Sequence, residues 1–384
     1  MKNMTNISRK TKKIKVMTIV GTRPEIIRLS STLKKLDNYF EHILVHTGQN
    51  YDYELNQIFF EELGLREPDE YLNAAGKTAA ETIGNVISCS DIVFEKYKPD
   101  ALLVLGDTNS CMSVISAKRR KIPIFHMEAG NRCYDMRVPE EINRKIVDHT
   151  SDVNLPYSAL ARDALIAEGL KPDLIITTGS PIFEVLNEHR NEINSSKVLE
   201  RLGLSRKDYF VVSSHREENI DSEANFEKLS NLLNSLAKTY GKTVIVSTHP
   251  RTRKKLDAIG GEFDARVQFH KPLGFFDYLC LQMNASVVLS DSGTISEESS
   301  LLKFSALNLR ETHERHEAFE EGAVMMTGLD FNVVNNALQM LLNRVEGPQM
   351  DVSDYTAPNV SEKVARIILS YVSYVNRVVW RKYV

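Results

Sequence analysis

Three acidic side chains in the first half of the chain stand where apolar stretches give way to polar ones. Asp107 and Glu128 each follow an apolar run, and Glu140 lies in a segment that opens with a proline. Asp107 can equally cap the next helix, and Glu140 can simply stabilise a helix that starts at a proline. Glu128 should be half buried, which would raise its pKa and suit it to acid–base chemistry. Three carboxylates on one edge repel one another, so the set predicts proton transfer.

Basic side chains and a small-residue turn are the candidates for binding an anion. Arg23 lies in Gly-Thr-Arg-Pro-Glu, directly after the first apolar run, and Arg28 lies about one turn further. A helix start favours phosphate binding, although Arg28 is equally consistent with an ordinary surface position. In the second half, Ser292, Gly293 and Thr294 lead from a strand into a helix and present backbone N–H groups. This turn lacks the lysine of an ATP-binding P-loop.

The second half also supplies groups that suit a nucleotide. His215 and Arg216 follow its first apolar run and face the space where a phosphate could lie. Glu297 or Glu298, one turn into the helix after the small-residue turn, can accept hydrogen bonds from ribose hydroxyls. His249 follows the next apolar run and is left unassigned. The sequence therefore predicts a nucleotide phosphate site in the second half of the chain.

Composition narrows the function class. The 384 residues carry a net charge of −3, with 42% hydrophobic and 26% charged residues, which predicts neither a nucleic-acid nor a membrane partner. Four scattered cysteines fit a reducing compartment, so we expect a cytoplasmic protein. No Gly-x-Gly-x-x-Gly fingerprint follows a predicted strand, and His313 and His316 lack an evident third ligand. We therefore expect neither a dinucleotide cofactor nor a metal ion.

Alternating apolar runs and amphipathic stretches must position these groups. Continuous apolar runs, typical of buried parallel strands, occupy 15–20, 43–45, 101–105 and 122–125. The same pattern restarts at 209, after a polar stretch at 187–207 that is a plausible hinge. This arrangement predicts an α/β fold with two Rossmann-like, doubly wound parallel-sheet domains that face a cleft. Such sheets bind ligands outside the carboxyl ends of their strands, where the polar residues above lie.

The length fits two domains of ordinary size, and we divide the chain into four segments. These are a basic disordered tail at 1–14, an N-terminal domain with the acid–base carboxylates at 15–185, a C-terminal domain that binds the nucleotide at 186–360, and a C-terminal helix at 361–384. We expect that helix to pack back on the first domain. The tail lacks an apolar stretch and is not a signal peptide.

Six motifs, in order, carry a resemblance to a known family. They are GTRPE at 21–25, GDT at 106–108, HMEAG at 126–130, PEEINR at 139–144, SHREEN at 214–219 and SDSGTISEE at 290–298. With them the chain resembles the non-hydrolysing UDP-N-acetylglucosamine 2-epimerases from residue 15 to about residue 330. The resemblance implies the two-domain glycosyltransferase-B-like fold, a UDP-N-acetylhexosamine substrate, no cofactor, and a homodimer whose domains close around the nucleotide.

The resemblance also implies roles for the motif residues. The diphosphate would be held by Arg23, His215 and the Ser292-Gly293 turn, and the ribose by Glu298. The full set of expected UDP-binding residues is Arg23, Arg28, His215, Arg216, Ser292, Gly293, Thr294 and Glu298. The expected catalytic residues are Asp107, Glu128, Glu140 and His215. In the implied reaction, UDP leaves C1 while the C2 proton is removed, and UDP re-adds to the resulting glycal after a proton reaches the opposite face.

Some positions depart from the family pattern. Arg28 stands where many members have lysine, Thr294 where they have glycine, and His316 where they have proline. The stretch 46–56 is more similar to the capsule and O-antigen branch, which serves cell-surface polysaccharide synthesis and includes enzymes that form UDP-N-acetyl-L-fucosamine from its 6-deoxy-talose epimer. That substrate is one alternative. A glycosyltransferase with a UDP-sugar donor, a hydrolysing epimerase and a sugar-nucleotide sensor are the others.

Overall fold

Two parallel sheets of six strands each form the frame of the described parts of the chain. The computed structural model describes residues 13–48, 57–214, 223–247, 263–343 and 350–382. The strands of the first sheet are β1 (Lys15–Val20), β2 (Glu41–His46), β3 (Glu70–Tyr71), β4 (Ala101–Leu105), β5 (Ile124–Met127) and β6 (Val153–Leu155). Those of the second are β7 (Tyr209–Ser213), β8 (Thr243–Ser247), β9 (Val267–His270), β10 (Val288–Ser290), β11 (Ala306–Asn308) and β12 (Met325–Met326).

Both sheets have the same topology. The strand order is β3-β2-β1-β4-β5-β6 in the first sheet and β9-β8-β7-β10-β11-β12 in the second, so each half starts at the centre and is wound outward twice. In the first sheet, Thr18 of β1 lies beside Leu44 of β2 and Leu103 of β4. The central strands are buried on both faces, which is why their sequences are continuously apolar. The predicted fold class is confirmed.

Helices cover the faces of both sheets. The first half contains α1 (Arg23–Tyr39), α2 (Gln57–Glu62), α3 (Ala79–Tyr97), α4 (Val114–Arg119), α5 (Pro139–Thr150), α6 (Ala159–Ala167) and α7 (Ile182–Glu188). The rest of the chain contains α8 (Arg190–Ser195), α9 (Val198–Arg201), α10 (Glu223–Tyr240), α11 (Phe275–Asn284), α12 (Ile295–Leu302), α13 (His316–Glu320), α14 (Phe331–Leu342) and α15 (Val360–Val378).

The C-terminal helix α15 returns to the N-terminal sheet and packs against α1. At its first turns, Lys363 Nζ donates a hydrogen bond to the carbonyl oxygen of Thr178 at 2.9 Å. Further along, the Tyr374 hydroxyl donates to the Asp173 carboxylate at 2.9 Å. Of the helices in the described residues, none combines the length and apolarity that a membrane crossing requires.

The two halves of the molecule share one buried apolar cluster. Its members include Val20 and Leu29 from the first half and Phe275 and Val288 from the second. Further clusters lie against the other face of each sheet. Arg28, in the helix that follows β1, contacts Glu297, in the helix that follows β10, and Glu128, at the end of β5, contacts Arg315, which directly precedes α13. The carboxyl ends of strands in both sheets therefore face a common cleft. Polar strand-end residues from both halves therefore meet.

Candidate active site

Glu128 stands at the carboxyl end of β5 in an unusual backbone conformation. Its φ is 62°, in the left-handed region that non-glycine residues rarely occupy. The side chain is 8% exposed, and its carboxylate accepts hydrogen bonds from Arg28 and, at 2.7 Å, from Arg315 Nη2. A residue held in this region costs free energy that the surrounding structure must offset, and such positions concentrate at functional sites.

Glu128 belongs to a cluster of four charged side chains that spans the cleft. We call Arg28, Glu128, Glu297 and Arg315 the four-charge cluster. Arg28 Nη2 donates to Glu297 Oε2 at 2.7 Å, and Arg315 Nη2 lies 3.4 Å from the same oxygen. Arg28 and Glu128 come from the first half of the chain, whereas Glu297 and Arg315 come from the second. Each acid therefore contacts one arginine from each half.

The cluster keeps Glu128 ionised. Burial alone acts to raise the pKa of this carboxyl, but the guanidinium groups of Arg28 and Arg315 outweigh burial and lower the pKa to about 2. The expectation from sequence that burial would raise the pKa of Glu128 is therefore wrong. The apolar strand before the residue predicts its burial, but the two arginines come from distant parts of the chain.

Both arginines of the cluster have buried N–H groups without an acceptor among the described residues. Within the described residues, nothing accepts a hydrogen bond from Arg28 Nε or from Arg315 Nε and Nη1, although these atoms are buried. Buried N–H donors without a partner are costly and rare in native structures. Three such donors on two neighbouring cations indicate a site for an anion.

Asp107 lies in the same cleft in a contrasting environment. Arg144 donates to Asp107 Oδ2 through Nε at 2.9 Å and through Nη2 at 2.7 Å, and the Asp107 side chain is 20% exposed. Burial raises the pKa of Asp107; the Arg144 charge opposes this shift, and repulsion by Glu128, Glu140 and Glu314 adds to it. The structure thus brings the three predicted carboxylates near one another and leaves Asp107 easier to protonate than Glu128.

The small-residue turn lies close to this acidic edge. The carboxylate of Glu314 packs against Gly293, where a Cβ atom would stand 2.5 Å from Glu314 Oε1. The same carboxylate pairs with Arg310 and lies 4.0 Å from Arg144 Nη2. Because Arg144 binds Asp107, a continuous chain of contacts joins the acidic edge of the first half to the turn of the second.

The turn itself has ordered hydroxyl groups ahead of α12. The Ser292 backbone N–H donates to Ser290 Oγ at 3.1 Å, and the hydroxyls of Ser292 and Thr294 are 3.0 Å apart. A helix N-terminus with small side chains favours an anion. The turn, the four-charge cluster and the carboxylates therefore lie around one cleft.

A pocket beside the turn extends the cleft. It has an empty volume of about 780 Å³, and its lining includes Arg23, Arg28, Ser292, Phe275, Tyr278 and Glu298. Glu298 accepts a hydrogen bond from Gln282 Nε2 at 3.1 Å, and burial raises its pKa to about 6. Burial also lowers the pKa of the Arg23 guanidinium, which stands 5.6 Å above the Phe59 ring. Aromatic rings, cations and a carboxylate in one pocket suit a nucleotide.

A buried acid that we did not assign from the sequence joins two of the motifs. Glu25 accepts hydrogen bonds from the backbone N–H groups of Gly21 at 3.0 Å and Thr22 at 2.7 Å. Its other oxygen accepts from the hydroxyls of Thr108 at 3.0 Å and Ser110 at 2.6 Å. Glu25 thereby ties the loop after β1 to the loop after β4, which positions Arg23 and Asp107. The capping-box spacing of Thr22 and Glu25 was the signal for its local role.

Three further residues around the cleft were also missed: Arg144, Glu314 and Arg315. Arg144 stands in the PEEINR motif, but only its contacts reveal what it binds. Glu297 was one of two candidates for binding the ribose, and the structure instead places it against Arg28 and Arg315. His316, by contrast, hydrogen-bonds the Arg132 carbonyl oxygen at 2.7 Å across the cleft. Three residues singled out from the sequence, His215, Arg216 and His249, lie outside the described residues.

The fold and the cleft define a two-domain α/β enzyme of the glycosyltransferase-B-like class. The model of the family described as UDP-N-acetylglucosamine 2-epimerase matches residues 33–369. The chain belongs to this family, which confirms the family predicted from the six motifs.

Individual relatives agree with this assignment. The structure of UDP-N-acetylglucosamine 2-epimerase from Rickettsia bellii is 48% identical, with a TM-score of 0.88 over 96% of this chain and 99% of that one. The crystal structure of Methanocaldococcus jannaschii UDP-GlcNAc 2-epimerase in complex with UDP-GlcNAc and UDP is 31% identical, with a TM-score of 0.86 over 93% and 99%. The UDP-2,3-diacetamido-2,3-dideoxy-D-glucuronate 2-epimerase of Pseudomonas aeruginosa is 30% identical over 92% of this chain and 99% of that protein.

Proposed function

We propose that the protein inverts C2 of a UDP-N-acetylhexosamine, of the UDP-N-acetylglucosamine to UDP-N-acetylmannosamine type, without hydrolysing the sugar–phosphate bond. The main support for the proposal is the four-charge cluster, in which Arg28 lines the pocket and pairs with Glu128, and in which Arg28 and Arg315 have buried N–H groups without an acceptor among the described residues. The family supports it, as does the M. jannaschii relative that binds UDP-GlcNAc and UDP.

The cleft suggests where each part of the substrate binds. We place the diphosphate between the small-residue turn and the free N–H groups of Arg28 and Arg315. Arg23 lies in the same pocket and Glu298 is placed to accept hydrogen bonds from the ribose. For His215 and Arg216 we retain the roles that the SHREEN motif implies. The sugar would then lie beside Asp107, Glu128 and Glu140.

The proposed chemistry is elimination followed by re-addition. As the C1–O bond breaks, its electron pair leaves with UDP. A carboxylate of the cleft takes the C2 proton, and the electrons of the C2–H bond form the C1=C2 double bond of a glycal. Arg28, Arg315 and the helix N-terminus stabilise the charge that develops on UDP. Return of UDP to C1 and of a proton to the other face of C2 completes the inversion. Asp107, with its raised pKa, suits proton exchange, whereas the ionised Glu128 suits orientation of the two arginines.

Turnover in deuterated water tests this function. We expect the purified protein to convert UDP-N-acetylglucosamine, without any acceptor, into a mixture that contains the C2 epimer with deuterium at C2. The Asp107→Asn and Glu128→Gln variants should lose most of this activity. If both variants epimerise and exchange deuterium at the wild-type rate, the assignment of these carboxylates is wrong. Free UDP that accumulates together with free sugar would indicate a hydrolysing epimerase instead, and absence of any reaction until an acceptor is added would indicate a glycosyltransferase.

The exact hexosamine is a separate question. The similarity to the capsule and O-antigen branch favours a role in the synthesis of cell-surface polysaccharide precursors and makes the 6-deoxy-talose epimer of UDP-N-acetyl-L-fucosamine the second candidate. A panel of UDP-N-acetyl sugars, followed by NMR, separates the two by their relative kcat/KM. We further propose a cytoplasmic homodimer. The free state of all four cysteines is consistent with a reducing compartment, and sedimentation analysis tests the dimer.

A further inference from the structure

Glu297 is a fully buried acid that the proposed reaction does not use. It lies in the first turn of α12, next to Glu298, and its side chain is 1% exposed. Its Oε2 atom accepts from Arg28 Nη2 at 2.7 Å and lies 3.4 Å from Arg315 Nη2, and its Oε1 atom accepts a hydrogen bond from the Ser180 hydroxyl. Arg28 and Ser180 are in the first half of the chain, so Glu297 contacts the opposite side of the cleft with both oxygens.

The position of Glu297 reduces the electrostatic repulsion between the two arginines. Arg28 and Arg315 share Glu128, which brings their guanidinium groups close enough to repel each other. One carboxylate balances only one of the two charges, and the cluster is buried, where an unbalanced charge is expensive. Glu297 supplies the second negative charge from the other side of the pair. Both arginines can then stay side by side with their remaining N–H groups directed elsewhere.

We propose that Glu297 is a positioning residue that holds Arg28 and Arg315 together across the cleft as one anion-binding pair. The identity of the anion as the diphosphate of a UDP-sugar rests on the proposed function, whereas the positioning itself is assessed by binding. Glu297 contacts the two arginines and Ser180, and acts on the ligand through the arginines.

The sign of the effect on ligand binding separates positioning from simple electrostatics. If Glu297 acted only through its charge, its removal would strengthen the binding of an anion, because a nearby negative charge would be gone. If Glu297 positions the arginines, its removal lets them move apart and weakens anion binding. The two interpretations therefore predict opposite changes in the Kd of UDP.

Calorimetric titration of the full-length protein with UDP is the experiment. We expect Glu297→Gln, which keeps the shape and removes the charge, to raise the Kd of UDP about tenfold. Ser180→Ala leaves the charge of Glu297 in place but removes the hydroxyl that orients it, and should raise the Kd about threefold. In an Arg28→Gln background, Glu297→Gln should change the Kd by less than about twofold, because the residue through which it acts is absent.

The matched control is Glu317→Gln. Glu317 is a buried acid in α13 that also contacts the first half of the chain, through the Ser158 hydroxyl at 3.3 Å, and it hydrogen-bonds Tyr355 at 2.7 Å. It makes no hydrogen bond to Arg28 or Arg315 within the described residues, although its negative charge also acts on Arg315. We expect the melting temperature of Glu317→Gln to be similar to that of Glu297→Gln, and the Kd of UDP to change by less than about twofold, because the hydrogen bonds that hold the two arginines remain.

Two results would overturn the positioning role. One is an unchanged or lower Kd of UDP in the folded Glu297→Gln variant. The other is an equal loss of affinity in the Glu297→Gln and Glu317→Gln variants, which would show that any buried acid at the interface has the same effect. Because UDP binding is measured without turnover, wild-type protein that binds UDP but does not epimerise would refute the proposed function and leave this inference standing.

Discussion

Replacement of Arg315 tests the cleft most directly. This side chain contacts Glu128 at 2.7 Å and Glu297 at 3.4 Å through Nη2 alone. Its Nε and Nη1 atoms are buried, and nothing in the described part of the chain accepts from them. Arg315 thus uses one nitrogen for contacts within the protein and has two that a ligand could bind. Arg315→Met fills a similar space but removes all these donors, so we expect it to lower kcat/KM.

The expected loss of kcat/KM in Arg315→Met follows from the two N–H donors of Arg315 that have no acceptor in the described residues. A hydrogen bond to a charged group contributes about 1.5–3 kcal/mol, and the diphosphate would receive two of them from Arg315. Partial compensation by water and by Arg28 leaves an expected loss of about 3–4 kcal/mol, which corresponds to a decrease in kcat/KM of about 10²- to 10³-fold. Arg315→Lys keeps the charge but cannot place two N–H groups in one plane, so we expect a loss of about tenfold.

Steady-state epimerisation of the preferred UDP-sugar, followed by NMR, measures this loss. Arg366→Met is the control, since Arg366 is an exposed arginine of α15 whose salt bridge with Glu362 should contribute less than about 1 kcal/mol. Thermal unfolding verifies that each variant is folded. If the folded Arg315→Met variant retains kcat/KM within about threefold of the wild type, the free N–H groups do not bind the substrate, and the placement of the diphosphate is refuted.

Three further substitutions have outcomes that the structure fixes. Glu25→Gln should cost about 2–4 kcal/mol and lower the melting temperature by about 2–5 °C, because an amide cannot accept hydrogen bonds with both ends; an unchanged melting temperature would contradict this. Glu298→Gln should be more stable than wild type at pH 7.5 by about 2 kcal/mol. The pKa of Glu298 is raised from 4.5 to about 6 in the folded state, so ionisation of this carboxyl destabilises the folded wild-type protein as the pH rises from 4.5 through 6. The difference in stability between Glu298→Gln and wild type should vanish at pH 4. An equal gain in stability at pH 4 and pH 7.5 would show that the raised pKa of Glu298 is not its cause. Gly293→Ala should weaken UDP binding about tenfold, because the new Cβ atom would stand 2.5 Å from Glu314 Oε1, and a wild-type Kd would show that this carboxylate moves freely.

Features that depend on local sequence pattern could be predicted from the sequence. Apolar runs predicted β1, β2, β4 and β5 of the first sheet and the restart of the pattern at β7, but not the edge strands β3, β6, β9 and β12. Asp107, Glu128 and the 292–294 turn could be found because polar residues at the ends of parallel strands share one edge. These inferences need only the period of the sheet and the position of a residue relative to its strand.

What could not be predicted depends on contacts between distant parts of the chain. Arg28 and Glu297 are separated by 269 positions, and Glu128 and Arg315 by 187. No local pattern indicates which acid will meet which arginine when the two sheets face each other. For the same reason the sign of the pKa shift of Glu128 was wrong from sequence. The apolar strand predicts burial, but the cations that outweigh burial come from α1 and from the other half of the chain.

The contrast between Asp107 and Glu128 follows from how many cations each receives and from where. Glu128 receives two guanidinium groups, one from each half of the chain, whereas Asp107 receives one, and Arg144 also binds Glu141 at 2.7 Å. If the halves separate, Glu128 loses Arg315 while Asp107 keeps Arg144. The pKa of Glu128 would then rise and the difference between the two carboxyls would shrink. We therefore expect the proposed division of roles, with proton exchange at Asp107 and orientation of the arginines by Glu128, to require the contacts between the two halves.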